Sequence, residues 1–170
     1  MDILDGVYVS VDGGKTWNKQ NAGLDTTAVT SCRVSGDQVY VGTQGCGVYS
    51  GRIDPATGRI IWRKDRSNKP VPPVYSVQVE VDPHDPNRIY VGANPGGLFC
   101  SSDGGKTFRD RNGITPSVIV DDPYHQGYYT FDISPTDPDV IWLGTWGKGI
   151  FKSYDGMLPV SYTHLTLPTN

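Results

Sequence analysis

A glycine-centred repeat constrains the fold of this chain more than any other feature. Segments 38–50, 88–100 and 140–152 share one pattern: an apolar run that ends in Gly, a short loop, a second Gly and another apolar run. Gly42, Gly92 and Gly144 mark equivalent places in the three copies, about 50 residues apart, and a fixed period of this length is the signature of a repeat architecture. We therefore expect a series of similar structural units.

Each full unit is predicted to contain four short strands, at positions A to D. The 21 Gly, 13 Pro and 10 Tyr residues are typical of an all-β chain with many turns, and no window shows sustained helical periodicity. The first unit has positions C and D only, and the fourth has A to C. In chain order the predicted strands are 6–10 and 16–19; 29–34, 38–42, 47–52 and 59–64; 75–81, 88–92, 97–101 and 107–110; 128–134, 140–144 and 149–153.

A second motif, Ser-x-Asp-Gly-Gly-Lys-Thr-aromatic, is complete at 10–17 and 101–108 and stops after Gly156 in a third copy that starts at Ser153. Its Asp can accept backbone N–H groups, its Gly residues permit positive φ, and its aromatic ring can anchor the next strand by becoming buried. One carboxylate beside Gly and Lys is too few ligands for calcium, so we favour a structural turn over a metal site. The residues predicted for this role are Ser10, Asp12, Gly14, Thr16, Trp17, Ser101, Asp103, Gly105, Thr107, Phe108, Ser153 and Asp155.

The two complete copies fit the Asp-box pattern, Ser/Thr-x-Asp-x-Gly-x-Thr/Ser-Trp/Phe, at every defined position. Over residues 3–156 the chain resembles Asp-box (BNR-repeat) β-propellers, a group that includes sialidases, xyloglucan-active glycoside hydrolases, sortilin-type receptor domains and photosystem assembly factors. The resemblance implies a fragment of a β-propeller with four-stranded antiparallel blades, about three of them and not closed. The expected units are half a blade with an Asp-box at 1–20, full blades at 28–66 and 74–111, the second with an Asp-box, and a partial blade with a truncated box at 128–157.

Residues 158–170 contain no acid, Lys, Arg or Gly, unlike the rest of the chain. They resemble the translated adapter tails found at the ends of metagenomic open reading frames, and we expect a non-native tail. A divergent strand at position D is the alternative, because this segment also contains β-forming residues.

In the family that the chain resembles, the Asp-box lies opposite the active-site face, so functional residues are expected on the rim formed by the D–A and B–C loops. Six residues of these loops are candidate ligands for a polysaccharide or oligosaccharide: Asn94, Asp121, Asp122, Tyr124, His125 and Trp146. The aromatic rings would stack on sugars, and the polar groups would bind hydroxyls. The alternative is that Trp146 packs between blades, that Tyr128 and Tyr129 belong to a strand at position A, and that residues 121–123 form a solvated turn.

No catalytic residue is predicted, and enzymatic activity stays open. In xyloglucan-active relatives, a B–C loop carries a catalytic Asp. The corresponding positions are Gln44, Asn94 and Trp146, none of which is a carboxylate. The Arg-Ile-Pro motif of sialidases is also absent from the sequence.

Composition and motifs exclude several other partners. The net charge is −3 with dispersed Lys and Arg, which disfavours nucleic acid, and no apolar run approaches the ~18 residues of a membrane span. No cofactor motif or metal-ligand pattern is recognised. For Cys32, Cys46 and Cys100, buried free thiols are favoured over a disulfide.

Two functions are therefore expected of the full-length protein. The first is an extracytoplasmic or secreted propeller that binds a glycan or belongs to a glycoside hydrolase. The second is a non-catalytic propeller that scaffolds protein partners, as assembly factors and sortilin-like receptors do.

Overall fold

The computed structural model describes residues 5–63, 76–94, 97–110, 128–145 and 149–156, and these residues form strands and turns without a helix. None of the described segments is therefore a helix long and apolar enough to cross a membrane. The strands are β1 (Tyr8–Val9), β2 (Asn18–Lys19), β3 (Val29–Ser35), β4 (Gln38–Thr43), β5 (Gly47–Ile53), β6 (Ile60–Arg63), β7 (Ser76–Val81), β8 (Ile89–Asn94), β9 (Gly97–Ser101), β10 (Arg109–Asp110), β11 (Tyr128–Ile133), β12 (Ile141–Thr145) and β13 (Gly149–Ser153).

The described strands form four antiparallel sheets, and within each sheet neighbours in sequence are neighbours in space. The first sheet contains β1 and β2, the second β3 to β6, the third β7 to β10 and the fourth β11 to β13. The second and third sheets have the predicted four strands. The all-β fold with four-stranded antiparallel units is confirmed.

Alternation of side chains along β4 explains why successive sheets stack face to face. Neighbouring residues of a strand point to opposite faces of its sheet. Val39 and Val41 belong to an apolar cluster with the first sheet, whereas Tyr40 belongs to a cluster with the third. All three are buried, so the second sheet has a neighbour on each face.

Among the described residues, three apolar clusters form the core, one between each pair of successive sheets. The first contains Val7, Val39, Val41, Tyr49, Ile60 and Trp62. The second contains Tyr40, Val79, Ile89, Val91, Ala93, Phe99 and Phe108. The third contains Tyr90, Leu98, Cys100, Phe131, Ile133, Ile141 and Leu143. Small sheets stacked in this way are the architecture of β-propeller blades, and in the described part of the chain they do not close into a ring.

Polar contacts join the first strands of the second and third sheets. The Arg33 guanidinium on β3 donates two hydrogen bonds to the Glu80 carboxylate on β7, with Nε 2.6 Å from Oε2. Two residues earlier on β3, the Ser31 hydroxyl accepts a hydrogen bond from the Val79 backbone N–H at 3.1 Å. Because residue numbers rise together in the two contacts, β3 and β7 lie side by side and run in the same direction.

The first strands of the third and fourth sheets are joined in a similar way. The Gln78 amide on β7 donates to the Phe131 carbonyl on β11 at 3.0 Å and accepts from the Phe131 N–H at 3.3 Å. Beyond the ends of these strands, the His84 ring lies 3.2 Å from the Ser134 carbonyl. The strands β3, β7 and β11 therefore share one direction, and the three sheets present corresponding ends on the same side.

The three cysteines are free thiols, as predicted, but the prediction that all are buried is wrong for two. Cys100 is buried between the third and fourth sheets. Cys46 lies at the exposed tip of the β4–β5 loop. Cys32 on β3 is exposed, and it is not among the residues of the cluster with the first sheet, which lies mainly on β4, β5 and β6 and includes only Val29 from β3 at its border.

Candidate functional site

In the second, third and fourth sheets, the first strand begins at the end where the second strand passes to the third. We call the loops at this end the rim. In the second sheet, Val29 at the start of β3 pairs with Thr43 at the end of β4. In the fourth sheet, Tyr128 at the start of β11 pairs with Thr145 at the end of β12. Because the first strands run in one direction, these ends form one face of the stacked sheets.

The Ser-x-Asp-Gly motifs at 10–17, 101–108 and 153–156, which we call the serine–aspartate turns, lie at the opposite end. Ser101 at the end of β9 pairs with Ile89 at the start of β8, and Ser153 at the end of β13 pairs with Ile141 at the start of β12. The length of a strand therefore separates these turns from the rim.

Most of the sequence-predicted ligand residues lie outside the described residues: Asp121, Asp122, Tyr124, His125 and Trp146. The Asn94 backbone pairs with Ser76 at the rim end of the third sheet. Trp146 directly follows Thr145, which the register places at the rim end of β12. The predicted ligand roles of these residues stay predictions.

One rim loop, residues 20–28, is fixed to the second sheet by contacts along its length. The Trp62 indole N–H donates to the Gln20 carbonyl at 2.6 Å. Leu24 packs against the cluster between the first two sheets. The Gln44 N–H donates to the Ala28 carbonyl at 2.8 Å, which joins this loop to the β4–β5 loop. The backbone around Asp25 is therefore preorganised.

Asp25 presents an exposed carboxylate that a buried tyrosine holds in place. The Tyr49 hydroxyl donates to Asp25 Oδ2 at 3.0 Å. The pKa of Tyr49 is raised to about 12, mainly by burial and secondly by this hydrogen bond. Tyr49 therefore stays protonated near neutral pH, and its hydroxyl remains a donor. Asp25 remains available to accept hydrogen bonds from solvent or from a ligand.

Sequence reasoning missed Asp25 because its partner lies 24 positions further along the chain. The available signal was its place in a D–A connection, the class of loop that the family resemblance assigns to the functional rim. Asp25 is the sole carboxylate in loops 20–28 and 43–47. Its exposed carboxylate can accept hydrogen bonds from the hydroxyl groups of a ligand.

The serine–aspartate turns are closed by hydrogen bonds within the motif. Asp103 accepts from the Thr107 backbone N–H at 2.9 Å, from the Thr107 hydroxyl at 2.5 Å and from the Ser101 hydroxyl at 2.8 Å. The Ser101 oxygen accepts from the Gly105 N–H at 2.9 Å, and Gly105 has φ +81°. The Thr107 bonds lower the pKa of Asp103 to about 2, because they favour its charged form.

The first turn repeats this geometry. Asp12 accepts from the Thr16 hydroxyl at 2.6 Å and from the Thr16 and Lys15 N–H groups at 2.9 and 3.1 Å. Its pKa is lowered to about 2, with the Thr16 hydroxyl as the main cause. These oxygens therefore bind donors of their own turn. Within the described ranges, no group of three or more His, Cys, Asp or Glu residues could hold a metal ion.

The third copy begins in the same way. The Ser153 hydroxyl donates to Asp155 Oδ1 at 2.6 Å, and Gly156 has φ +60°. The position that corresponds to Thr16 and Thr107 is Pro159 in the sequence, which has neither a hydroxyl nor an N–H group. Residues 157–170, including the predicted tail, lie outside the described residues.

The aromatic residues that follow the turns have different environments. Phe108 is only 6% exposed and packs in the cluster between the second and third sheets, as predicted. Trp17 is 61% exposed, so the prediction of a buried anchor is wrong at this position. Phe108 is covered by the preceding sheet, whereas Trp17 belongs to the first described sheet, whose corresponding face has no described neighbour.

Sequence comparison finds one local similarity. No model of a known protein family matches the chain. Over 83 residues, or 45% of its length, the chain is 31% identical to a Neosartorya fischeri protein named "Probable oligoxyloglucan-reducing end-specific xyloglucanase". This segment corresponds to 10% of that relative, so the chain spans a small part of it.

Structure comparison finds GH74 enzymes of the β-propeller class. The GH74 enzyme of Niastella koreensis has a TM-score of 0.63 and 16% identity, over 96% of this chain and 27% of that one. A GH74 xyloglucanase from Xanthomonas campestris has a TM-score of 0.55 and 22% identity, over 88% of this chain and 24% of that one. An ancestral GH74 enzyme has a TM-score of 0.55 and 18% identity, over 84% of this chain and 18% of that one. The chain therefore has a β-propeller fold similar to part of these enzymes.

Proposed function

We propose that the chain is part of an extracytoplasmic β-propeller whose rim binds a xyloglucan-type polysaccharide. The observation that carries this proposal is the common direction of β3, β7 and β11, inferred from contacts such as Arg33 with Glu80 and Gln78 with Phe131. Strands that share a direction bring their rim loops to one face, where a long ligand can contact several sheets. The local similarity to a xyloglucanase supports the class of ligand.

The residues proposed for binding have complementary chemistry. Trp146 and Tyr124 would stack on the apolar faces of sugar rings, and Asn94, Asp121, Asp122 and His125 would bind hydroxyl groups. Asp25 adds a fixed acceptor at the second sheet, because Tyr49 and the preorganised loop 20–28 hold it in place.

We assign the serine–aspartate turns to the Asp-box (BNR) type, and their role in this proposal is structural. Their carboxylates are bound to donors within the same motif, as in the bond from Thr107 to Asp103. They also lie at the end of the sheets away from the rim. A ligand on the rim would therefore not contact them.

Calorimetric titration of the chain with xyloglucan oligosaccharides tests the proposal. Trp146→Ala and Tyr124→Ala are each expected to weaken binding about tenfold through loss of stacking, whereas Trp146→Phe keeps most of the affinity. Asp25→Asn is expected to weaken binding several-fold, because a charged acceptor forms stronger hydrogen bonds than a neutral one.

Lys106→Ala, in the serine–aspartate turn of the third sheet, is the control, and its affinity should equal that of the unmodified chain. Absence of binding by the unmodified chain would contradict the proposal and favour a propeller that scaffolds protein partners. Equal binding by the alanine variants of Trp146 and Tyr124 would show that the ligand does not use this rim.

A further inference from the structure

The third strands of the second, third and fourth sheets carry an aromatic ring at corresponding positions. Each ring pairs with the residue directly before the glycine of the repeat: Tyr49 with Val41, Phe99 with Val91 and Phe151 with Leu143. All three rings pack in or against one of the apolar clusters. The hydroxyl group of Tyr49 is therefore not required for packing, since phenylalanine serves at this place in the other two sheets.

The Tyr49 hydroxyl and the Asp25 carboxylate occur together in the second sheet, where the hydroxyl donates to Asp25 Oδ2 at 3.0 Å. The first-strand residues that pair with the repeat glycines are Ser31, Gln78 and Thr130. Asp25 lies six residues before the first of them, and the same count gives Pro72 and Tyr124 in the other two sheets. The carboxylate is therefore absent from this loop position wherever the strand has phenylalanine. Since Tyr124 is proposed to stack on a sugar ring, one loop position supplies a proposed ligand contact in two sheets.

Loop 20–28 does not depend on the Tyr49 hydroxyl for its position. The Trp62 indole N–H binds the Gln20 carbonyl at one end of the loop, and the Gln44 N–H binds the Ala28 carbonyl at the other. Loss of the hydroxyl would therefore release the Asp25 side chain rather than the loop backbone.

The Asp25 carboxylate keeps accepting capacity beyond its bond with Tyr49. The two oxygens of a carboxylate provide about four acceptor positions, and this bond fills one of them. Asp25 is exposed, so a ligand can reach the side chain. A side chain that is already held in one orientation loses less entropy when a ligand binds to it.

We propose that Tyr49 is a positioning residue that holds the Asp25 carboxylate to bind two adjacent free hydroxyl groups of one sugar residue. This selectivity rests on the proposed function, because it concerns the ligand that the rim binds. Each free hydroxyl donates to the carboxylate, whereas a methylated oxygen has no proton to donate and would face a second acceptor. The second sheet therefore selects sugar residues whose hydroxyl groups are unsubstituted at this place.

Calorimetric titration with two ligands tests this selectivity: a xyloglucan oligosaccharide and the same oligosaccharide with methylated hydroxyl groups. The unmodified chain is expected to bind the unmethylated form more tightly. Tyr49→Phe should weaken binding of that form about fivefold and reduce the preference by a similar factor, because the carboxylate is no longer held. Asp25→Ala should also reduce the preference. Adding Tyr49→Phe to Asp25→Ala should change the affinity no further, because no carboxylate remains to be positioned.

Tyr40→Phe is the matched control. It also removes one tyrosine hydroxyl that binds another element of the chain, but its acceptor, the Gly104 carbonyl, lies at the end opposite the rim. Tyr40→Phe should bind both ligands like the unmodified chain. Circular dichroism shows whether each variant keeps the fold. If Tyr49→Phe alters it, Asp25→Ala at its exposed position still decides the question, and full retention of the preference by that variant would overturn the proposal.

Three other outcomes would also overturn it. An effect of Tyr49→Phe that is equal for both ligands, or equal with and without the Asp25 carboxylate, would assign a purely structural role to Tyr49. Unchanged binding by Tyr49→Phe, in a chain whose Trp146→Ala variant binds weakly, would remove this selectivity and leave the proposed function intact. An unmodified chain that binds neither ligand would overturn both proposals.

Discussion

The Tyr90 hydroxyl of the third sheet donates a hydrogen bond to the Gly156 carbonyl of the fourth, and both residues are buried. This bond holds the serine–aspartate turn of one sheet against the second strand of its neighbour. The turn is therefore held from inside by its own carboxylate and from outside by an adjacent sheet.

Tyr90→Phe is expected to lower the free energy of unfolding by about 1–2 kcal/mol, because it leaves the buried Gly156 carbonyl without this donor. Tyr40→Phe should cost less, since its hydroxyl lies farther from its acceptor, at 3.4 Å rather than 3.1 Å. Urea unfolding followed by circular dichroism measures both. A larger loss for Tyr40→Phe would reverse the expected order and contradict the ranking.

Acid should weaken the serine–aspartate turns. The pKa of Asp103 falls from an ordinary value of 3.8 to about 2 in the folded chain, so its contribution is complete above pH 4 and is lost as the pH falls through 2. The Asp12→Asn/Asp103→Asn double variant should be less stable at pH 7 and should show a flatter decline between pH 4 and pH 2. Melting temperatures at pH 7, 4, 3 and 2 measure this difference.

Thr107→Val provides the matched control for the acid experiment. It removes the hydroxyl that most lowers the pKa of Asp103 but keeps the carboxylate and the backbone donor. Because the folded-state pKa of Asp103 is then less depressed, the loss of stability below pH 4 should be smaller than in the unmodified chain and should be complete at a higher pH. If the double variant loses stability between pH 4 and pH 2 as steeply as the unmodified chain, the acid sensitivity comes from groups other than Asp12 and Asp103.

Arg88→Ala is expected to destabilise the chain by about 3 kcal/mol, because it leaves a buried carboxylate without its cation. Asp82 is almost fully buried, and its Oδ2 lies 3.2 Å from Arg88 Nη1. Adding Asp82→Asn to Arg88→Ala removes the buried charge and should recover part of the loss, because an amide oxygen can still accept from the His84 N–H. Thermal and urea unfolding of both variants test this, and no recovery in the double variant would argue against a charge effect.

Gly51→Ala should cost about 1–3 kcal/mol through overpacking. A Cβ at this position would lie 2.7 Å from Ile60 Cγ2 and 2.9 Å from Trp62 Cε3. Gly45→Ala is the comparison, because no atom lies within 4 Å of its Cβ and its φ of +83° leaves only backbone strain, about 1 kcal/mol. Tryptophan fluorescence should change for Gly51→Ala alone, and unchanged fluorescence in both variants would exclude contact with Trp62.

The glycine repeat was sufficient to locate most strands, since strands β9 and β13 have the predicted bounds and the others differ by a few residues. Strand β10 is shorter than predicted: the sequence placed it at 107–110, and it contains only Arg109–Asp110. Thr107 cannot join this strand because its backbone N–H and hydroxyl both bind Asp103. The motif was evident in the sequence, but the hydrogen bonds that keep Thr107 out of the strand were not.

Burial and the candidate site were harder to predict, because they depend on which sheet lies next to a residue. Trp17 and Phe108 occupy the same position in the same motif, yet one is exposed and the other is buried. Likewise, the bond from Tyr49 to Asp25 joins strand β5 to loop 20–28 and follows from no local pattern. Local sequence specifies the hairpins, whereas the order of the sheets specifies their surroundings.

The double-sided burial of β4 limits how a chain like this can change by recombination. Val39 and Val41 are fitted to the preceding sheet, and Tyr40 is fitted to the following one. Exchanging this sheet for one from another protein would create two foreign interfaces at once, whereas a duplicated run of sheets would create one new junction. Growth by tandem duplication of whole sheets is therefore the route that this arrangement favours, with crossovers in the connections between sheets.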